Sequence, residues 1–286
     1  MEYRQKSARL PRSAEEKARW RRVIIILEHC PLAVVRGEHG FELLSEKHRA
    51  HHARNRQDPA EWRPDVVHQA LLHLLDSPLN RAGFLQVFLR TKKGVVVAVD
   101  PRLRVPRHMR LFEKMMVSCL HRMKVRAAHG PLSLLRVVKN PVTDHIPANC
   151  TLIRVEKDGD AVPDIFAFCA ACGFSAAHQS PTGSSVNTVA EKRDEVGQGG
   201  RASASNNFDG SHFADKYRAA TEAQQFKPFA FIIGGMSKGN VEVSYAPIGE
   251  VKSIRLSDRG LTAAAVCSLI LHAFEEAWLR EDNEAY

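Results

Sequence analysis

The chain has 286 residues, enough for one large domain with a substantial core, and its 44% hydrophobic and 26% charged residues are typical of a globular protein. Lysine and arginine outnumber aspartate and glutamate by 41 to 32, and the resulting charge of +9 favours a polyanionic partner such as RNA. The longest apolar run, residues 261–274, is too short for a membrane span, and no stretch is typical of a secretory signal. We therefore predict an intracellular protein without a membrane partner, whose six cysteines stay reduced.

Residues 1–21 are rich in arginine and lysine and poor in large apolar side chains. This composition predicts a flexible basic arm, which is either a solvated tail or a segment that contacts RNA or directs nuclear import. One globular domain is predicted for residues 22–280. It is interrupted at residues 178–212, where Ser, Gly and Asn dominate and too little apolar surface is available for folding, so we predict a disordered insertion there.

Short β-branched runs alternate with segments of helical periodicity, which predicts an α/β sheet. The predicted strands span residues 22–29, 39–44, 83–91, 94–100, 151–156, 229–235 and 251–257. The predicted helices span residues 64–78, 106–125, 164–172 and 261–279, and a further apolar helix is predicted to start at residue 134. Helical spacing predicts buried side chains at Met109, Phe112, Met116, Leu120, Met123, Val266, Leu269, Phe274 and Trp278.

A basic cluster surrounds the start of the helix predicted for residues 106–125. Arg104 and Arg107 flank Pro106, which stiffens the backbone at the helix entrance, and Arg110 follows within the first turn. Rigid arginines can fork onto phosphates or stack on bases, whereas the alternative is an ordinary solvated face. The net charge favours contact with nucleic acid.

A further arginine, Arg63, precedes Pro64 and Asp65 at the start of the helix predicted for residues 64–78. The Asp65 carboxylate suits the positive end of the helix dipole, so capping is one role for it. The other is to hold the Arg63 guanidinium in one orientation.

The stretch IIGGMSKGN, residues 232–240, is a predicted strand that runs into a glycine-rich turn. It has neither the Gly-Lys-Ser/Thr ending of a phosphate-binding loop nor the spacing of a dinucleotide fingerprint. The glycines Gly234, Gly235 and Gly239 still allow a ligand to approach the backbone closely.

Other polar clusters give weaker indications of chemistry. Cys169 and Cys172 lack a second pair at zinc-site spacing, and the histidines at 48, 51 and 52 lie among basic residues that disfavour a cation, so no metal site is predicted. Asp144 and His145 would suit a hydrolytic dyad, but the chain has no Gly-x-Ser-x-Gly elbow to supply the nucleophile.

Long motifs identify the chain more specifically. The stretches RPDVVHQALLHLLDSPLNRAGFLQVFLRT, RVPRHMRLFEKMMVSCLHRMKVRA, LLRVVKNPVTDHIP, FIIGGMSKG and LSDRGLTAAAVCSLILHAFEEAW occur in this order. Together they resemble the eukaryotic and archaeal SPOUT-class methyltransferases of ribosome biogenesis, which methylate N1 of a pseudouridine in small-subunit ribosomal RNA. The resemblance covers residues 22–165 and 226–280. It implies a SPOUT-type α/β domain with a C-terminal trefoil knot at about residues 226–280, a homodimer and S-adenosylmethionine as the cofactor.

The resemblance also implies the residues that would meet the cofactor. They are Val155, Gly234, Gly239, Leu256, Ser257, Asp258, Arg259, Gly260 and Leu261. The last loop of the family usually reads Leu/Ile-Ser-Asn-Tyr-Pro-Leu, and this chain instead has Asp258, Arg259 and Gly260.

For RNA, the resemblance implies contacts from Arg63, oriented by Asp65, and from Arg104 and Arg107. The family has a further arginine at the position of Leu111, and Arg110 lies about 100° away around the helix, so Arg110 is included as a candidate.

We expect the protein to bind a hairpin loop, splay out the target base and align its N1 with the methyl group. Asp76 is the candidate proton acceptor or orienting group, with capping of the next turn as the alternative. Asn140, Asp144 and His145 are expected to hold the turn between the basic helix and the strand TLIRV, as support for the site.

The functional expectation is thus an rRNA methyltransferase that acts with pre-ribosomal assembly proteins in the nucleus and nucleolus. An RNA-binding assembly factor with weak or lost activity is the alternative, because the arginines are intact while the cofactor loop is altered. A small-molecule methyltransferase would leave the arginines unexplained.

Overall fold

The computed structural model describes residues 20–37, 40–128, 130–173, 226–246 and 251–279. The predicted insertion at 178–212 and residues 1–19 of the predicted arm lie outside these ranges. The last two residues assigned to the arm contact the domain. The Trp20 Nε1 donates to the Gly83 carbonyl at 2.8 Å, and the Arg21 guanidinium lies 4.3 Å from the centre of the Trp278 ring.

Ten strands in the described part of the chain form an eight-stranded mixed sheet and a separate two-stranded sheet. They are β1 (Val23–Cys30), β2 (Val34–Gly37), β3 (Gly40–Leu43), β4 (Leu85–Thr91), β5 (Val96–Val99), β6 (Lys124–Arg126), β7 (Ser133–Val138), β8 (Thr151–Ala161), β9 (Phe229–Gly234) and β10 (Val251–Arg255). The eight-stranded sheet has the order β10-β8-β9-β1-β4-β5-β7-β6, and β2 pairs only with β3. Strands β10, β8, β9, β1 and β4 are parallel, while β5, β7 and β6 extend the sheet in antiparallel fashion.

Helices cover the faces of this sheet. They are α1 (Arg49–Arg54), α2 (Pro64–Asp76), α3 (Pro78–Arg81), α4 (Met109–Arg122), α5 (Ile165–Ala171) and α6 (Ala263–Leu279), with short 3-10 helices at Pro59–Glu61 and Val142–His145. Helix α6 packs against α2, α3, α5 and β9, so it joins the amino-terminal and carboxyl-terminal halves of the fold.

The core is centred on β1. Its residues 23–27 are completely buried, because neighbouring strands flank it on both sides and helices cover the sheet. Phe229 and Phe231 of β9 pack on Phe274 of α6 with ring centres 5.4 and 5.9 Å apart. Aromatic packing of this kind fixes α6 on the sheet beside the last loop.

The prediction of an apolar helix from residue 134 is wrong. Residues 133–138 form β7, which pairs with β5 on one side and β6 on the other. This segment is a strand because it pairs with a neighbouring strand along each edge. Its local pattern of leucine and valine does not indicate that pairing.

The helix predicted for residues 106–125 exists but begins later. His108 caps it by accepting a hydrogen bond from the Arg110 amide, so Arg104 and Arg107 precede the helix in non-helical backbone. It ends at Arg122, and Met123 has a left-handed φ of 63° with a side chain that is 55% exposed. The prediction that Met123 is a core residue is therefore wrong, and so is that for Leu269, which is 41% exposed.

Candidate active site

A cavity of about 350 Å³ lies at the carboxyl ends of the parallel strands β9 and β10, beside residues 155–157 of β8. Ligands commonly bind at this edge of open α/β sheets. The cavity is lined by Val155, Glu156, Lys157, Ile233, Gly234, Met236, Ser237, Lys238, Gly239, Asn240, Val241, Leu256, Ser257, Arg259, Gly260, Leu261, Ala263 and Val266.

The glycine-rich turn after β9 forms one wall of this cavity. A Cβ atom at Gly235 would lie 2.7 Å from the Cys30 Sγ and 3.2 Å from the Glu28 carbonyl oxygen, so the turn passes too close to β1 for a side chain. The Gly235 amide donates to that carbonyl at 2.7 Å. Gly239 has φ of +100°, a conformation that favours glycine.

The predicted cofactor residues converge on this cavity, with one exception. All of them line it except Asp258, whose side chain is 89% exposed and pairs with Arg255 at 3.1 Å. The Arg259 amide donates to the Ser257 Oγ at 3.2 Å, which holds the loop in a turn.

Sequence reasoning missed the polar lining residues Glu156, Lys157, Lys238 and Asn240. Each lies within two residues of one that the motifs did indicate. The missing information was how far around each turn the cavity extends, which depends on the three-dimensional path of the loops.

Arg154 holds the walls of the cavity together from outside it. Its guanidinium donates to the Ser253 Oγ at 3.1 and 2.9 Å and to the Val241 carbonyl at 3.0 Å, and it pairs with Glu156 at 2.8 Å. Glu156, the only acidic residue among the described residues that line the cavity, is therefore paired with an adjacent arginine.

Arg63 and Asp65 form a two-pronged ion pair at the start of α2. The Arg63 Nε donates to Asp65 Oδ1 at 2.9 Å, and its Nη2 donates to Oδ2 at 2.6 Å. These hydrogen bonds hold the pKa of Asp65 below its ordinary value and raise the pKa of Arg63. Asp65 thus orients the guanidinium, and the N-cap residue of this helix, Arg63, makes no side-chain capping hydrogen bond.

The segment that carries Arg104 and Arg107 is fixed alongside α2. The His68 Nε2 lies 2.6 Å from the Pro106 carbonyl oxygen, and the His68 ring stacks on Phe112 at 4.5 Å. Arg107 is 89% exposed. The rigid backbone expected at Pro106 thus comes from contacts with α2 as well as from the proline ring.

Asp76 lies at the last residue of α2 and is 61% exposed, and its Oδ2 is 3.9 Å from the Arg107 Nη2. Ser77, rather than Asp76, caps α3 by accepting from the Asn80 amide at 3.1 Å. Asp76 therefore does not cap the next helix, and its carboxylate lies beside Arg107 instead.

A hydrogen bond connects the cavity wall to the segment before Arg63. The Ser237 Oγ in the glycine-rich turn donates to the Ala60 carbonyl at 3.1 Å. Ala60 belongs to the short helix Pro59–Glu61, which ends two residues before Arg63. The cavity wall is therefore linked directly to the segment that leads into Arg63.

The turn between β7 and β8 is held by the side chains of two of the three residues predicted to support it, Asn140 and His145, and by a backbone hydrogen bond of the third, Asp144. The Asn140 Nδ2 donates to the Gly94 carbonyl at 2.7 Å, and the His145 Nε2 lies 2.8 Å from the Lys139 carbonyl oxygen. The Asp144 amide donates to the Pro141 carbonyl at 3.3 Å. Val142 anchors the turn in the core.

The six cysteines carry free thiols. Burial raises the pKa of Cys119, Cys150, Cys172 and Cys267 to about 12, and that of Cys30 and Cys169 further still. His48 lies 3.2 Å from Glu42, and His52 lies 2.9 Å from the Ser45 carbonyl oxygen.

Residues with metal-binding side chains do not gather into a group of three or more within the described ranges. None of the helices described in this structure is long and apolar enough to cross a membrane.

Comparison with known proteins gives consistent matches. A model of a family described as EMG1/NEP1 methyltransferase matches residues 25–275. The ribosomal RNA small subunit methyltransferase NEP1 of Homo sapiens is 34% identical over 266 residues, covering 93% of this chain and 85% of that protein. The protein of the same name from Drosophila melanogaster is 34% identical over 259 residues, covering 90% of this chain and 83% of its own length.

Among solved structures, the crystal structure of Archaeoglobus fulgidus Nep1 bound to S-adenosylhomocysteine is similar to this chain. The TM-score is 0.56 at 18% identity, and the match covers 90% of this chain and 98% of that one. At this identity, the similarity shows that the two proteins share a fold.

Proposed function

The chain belongs to the EMG1/NEP1 methyltransferase family, and on that premise we propose that it methylates N1 of a pseudouridine in small-subunit ribosomal RNA during ribosome biogenesis. S-adenosylmethionine is the methyl donor in this proposal. The observation that carries it is the position of the cavity, whose wall is linked by the Ser237–Ala60 hydrogen bond to the segment that leads into Arg63.

The lining residues suit a nucleoside cofactor. Val155, Ile233, Leu256, Leu261 and Val266 offer apolar surface to an adenine ring. The glycine-rich turn and the loop after β10 bring backbone amides and carbonyls to the cavity, and a volume of about 350 Å³ is within the range of small-molecule sites.

The cofactor, when bound, supplies a methyl group already activated by its sulfonium. This chain's residues must bind the RNA, exclude water and bring the pseudouridine N1 into line with the methyl carbon. In this proposal Arg63 and Arg104 stabilise negative charge on the uracil oxygens as the N1 proton leaves. Asp76, beside Arg107, is the candidate to accept that proton or to orient the nucleotide.

RNA binding in this proposal rests on Arg63, Arg104, Arg107 and Arg110. All four are exposed, and Asp65 holds Arg63 in a fixed orientation. A fixed guanidinium loses less conformational entropy when it forks onto a phosphate.

Further features of the family enter the proposal. The trefoil knot is supported by the chain path, because β10 lies beyond β8 at the sheet edge while the following helix α6 returns to pack on β9 and α2. A homodimer is supported by the exposed Phe41 and Met123, 57% and 55% accessible, near the ends of neighbouring elements. The proposal also includes that the protein acts with pre-ribosomal assembly proteins in the nucleus and nucleolus.

Calorimetric titration with S-adenosylmethionine tests the cofactor assignment. We expect saturable binding by the wild-type protein and its loss in Gly234→Val, because Gly234 lines the cavity and a Cβ there already lies 3.1 Å from Val241. Ala161→Val is the matched control, since it adds a valine at an exposed position that does not line the cavity.

A methylation assay tests the substrate assignment. A small-subunit rRNA hairpin with pseudouridine should accept a methyl group, whereas the same hairpin with uridine, whose N1 carries the sugar, should not. Equal transfer to both hairpins would contradict N1 specificity.

The alternative is an RNA-binding assembly factor with weak or lost activity. The altered loop favours it, since Asp258, Arg259 and Gly260 stand where the family usually has Asn-Tyr-Pro. A folded wild-type protein that binds the hairpin in a salt-dependent manner but does not bind the cofactor would support this alternative.

A further inference from the structure

The cavity has an electrostatic character that its apolar lining does not explain. Lys157, Lys238 and Arg259 line it, and all three side chains are exposed. None of the three side chains forms an ion pair or hydrogen bond among the described residues. The acidic Glu156 is already paired with Arg154 at 2.8 Å, so the lining residues that the structure describes carry a net positive charge.

The altered loop adds to this charge instead of cancelling it. Asp258 and Arg259 are adjacent and opposite in sign, but they point to different sides of the loop. The Asp258 carboxylate pairs with Arg255 at 3.1 Å and does not line the cavity, whereas Arg259 does. Substituting the usual tyrosine by arginine therefore puts a new cation into the cavity.

The chemistry of the cofactor limits what this cation can bind. Its adenosine part is neutral, and its ammonium and sulfonium groups are positive, so a cationic wall repels them. The α-carboxylate of the amino-acid part is its only anion. A planar guanidinium can hold a carboxylate through two parallel hydrogen bonds.

We propose that Arg259, assisted by Lys157 and Lys238, binds the α-carboxylate of the methionine part of the cofactor. This inference rests on the proposed function. It makes the amino-acid end of the ligand, rather than adenine, the part whose recognition distinguishes this chain from relatives with the usual loop.

Two ligands that differ in the amino-acid part test this assignment by calorimetry. S-adenosylhomocysteine carries the carboxylate, and 5′-methylthioadenosine has the same adenosine thioether without the amino-acid group. Arg259→Ala should weaken S-adenosylhomocysteine binding about tenfold, as expected for a partly exposed charge-assisted contact, and change methylthioadenosine binding less than about twofold. Arg259→Lys should retain part of the affinity as a point charge.

Arg81→Ala is the matched control, because Arg81 is an exposed arginine on α3 that does not line the cavity. It should leave both affinities unchanged. Equal losses of affinity for both ligands in Arg259→Ala would indicate that the loop has collapsed, and this result would overturn the assignment. An unchanged affinity for both ligands would overturn it as well. Unaltered melting temperatures show that each variant is folded.

The same variants separate this inference from its rivals. If Arg259→Ala weakens binding of an RNA hairpin but not of S-adenosylhomocysteine, Arg259 contacts phosphate and the inference is overturned. If the folded wild-type protein binds neither adenosine ligand, the proposed function itself fails. Wild-type binding of S-adenosylhomocysteine with no effect of Arg259→Ala overturns only the carboxylate assignment.

Discussion

At the scale of single residues, the ion pair of Arg63 and Asp65 is the best-defined part of the arginine cluster. Asp65→Asn removes the charge that orients the guanidinium while keeping the shape, and Arg63→Ala removes the guanidinium itself. We expect hairpin affinity, measured by fluorescence anisotropy, to fall a few-fold in the first variant and about tenfold in the second. Similar affinities for both variants and the wild type would exclude a contact from Arg63.

The pH dependence of this pair follows from its pKa shifts. The folded-state pKa of Asp65 is lowered, so the contribution of the pair is fully present above the ordinary carboxyl pKa of about 4 and is lost as pH falls through the lowered value. Between pH 5 and 8, the difference in hairpin affinity between wild type and Asp65→Asn should therefore stay constant.

Gly235 shows how a single position can depend on distant packing. Gly235→Ala should destabilise the protein by about 1–3 kcal/mol, because its Cβ would lie 2.7 Å from the Cys30 Sγ. Cys30→Ala in the same chain removes that sulfur and should recover part of the loss in a denaturant titration. Gly260→Ala is the control, since a Cβ there meets nothing within 4 Å; if it is as destabilising as Gly235→Ala, the steric explanation is wrong.

At the scale of secondary-structure elements, the first turn of α4 presents a position that the family uses differently. Leu111 is 55% exposed and stands where the family has an arginine. Leu111→Arg should raise hairpin affinity several-fold and steepen its salt dependence by about one unit, because one more phosphate can be neutralised. Leu269→Arg adds the same charge at a leucine that is 41% exposed on α6 and should have a smaller effect.

Arg90 of β4 connects β1 to the segment after the glycine-rich turn through a buried ion pair and a hydrogen bond. Glu28 is completely buried and pairs with Arg90 at 3.1 Å, and Arg90 also donates to the Ser244 Oγ. Arg90→Met should lower the free energy of unfolding by about 3–5 kcal/mol, since it leaves the carboxylate without a cation. The double variant with Glu28→Met should be less destabilised than Arg90→Met alone, as measured by chemical denaturation.

Most of these elements could be predicted from periodicity, and the exceptions lack a local sequence pattern that specifies them. Strand β1 and helix α2 carry strong patterns of buried side chains, so they lie close to where the sequence indicates. Strand β7 and the late start of α4 depend on partners far away in the chain, namely the strands beside β7 and the contact of His68 with Pro106. The short strands β2 and β6 lack a pattern long enough to detect.

At the scale of the whole molecule, the candidate site could be predicted from motifs to a large extent. The residues that the resemblance indicated in separate stretches converge on one cavity, because parallel strands bring their carboxyl ends to the same edge. The direction of each side chain could not be predicted. Asp258 and Arg259 are neighbours in sequence, but the fold of the loop directs them differently: Asp258 pairs with Arg255 outside the cavity, whereas Arg259 lines the cavity.

The hydrogen bond from Ser237 to Ala60 has a thermodynamic consequence for the two ligands of the proposed reaction. It joins the wall of one binding site to the segment that positions the other, so a ligand that orders this contact lowers the entropic cost of binding its partner. Linkage requires the effect to be reciprocal: S-adenosylhomocysteine should raise hairpin affinity by the same factor by which the hairpin raises S-adenosylhomocysteine affinity. Ser237→Ala should bring both factors towards one, whereas two unequal factors would show that the measured affinities are not at equilibrium.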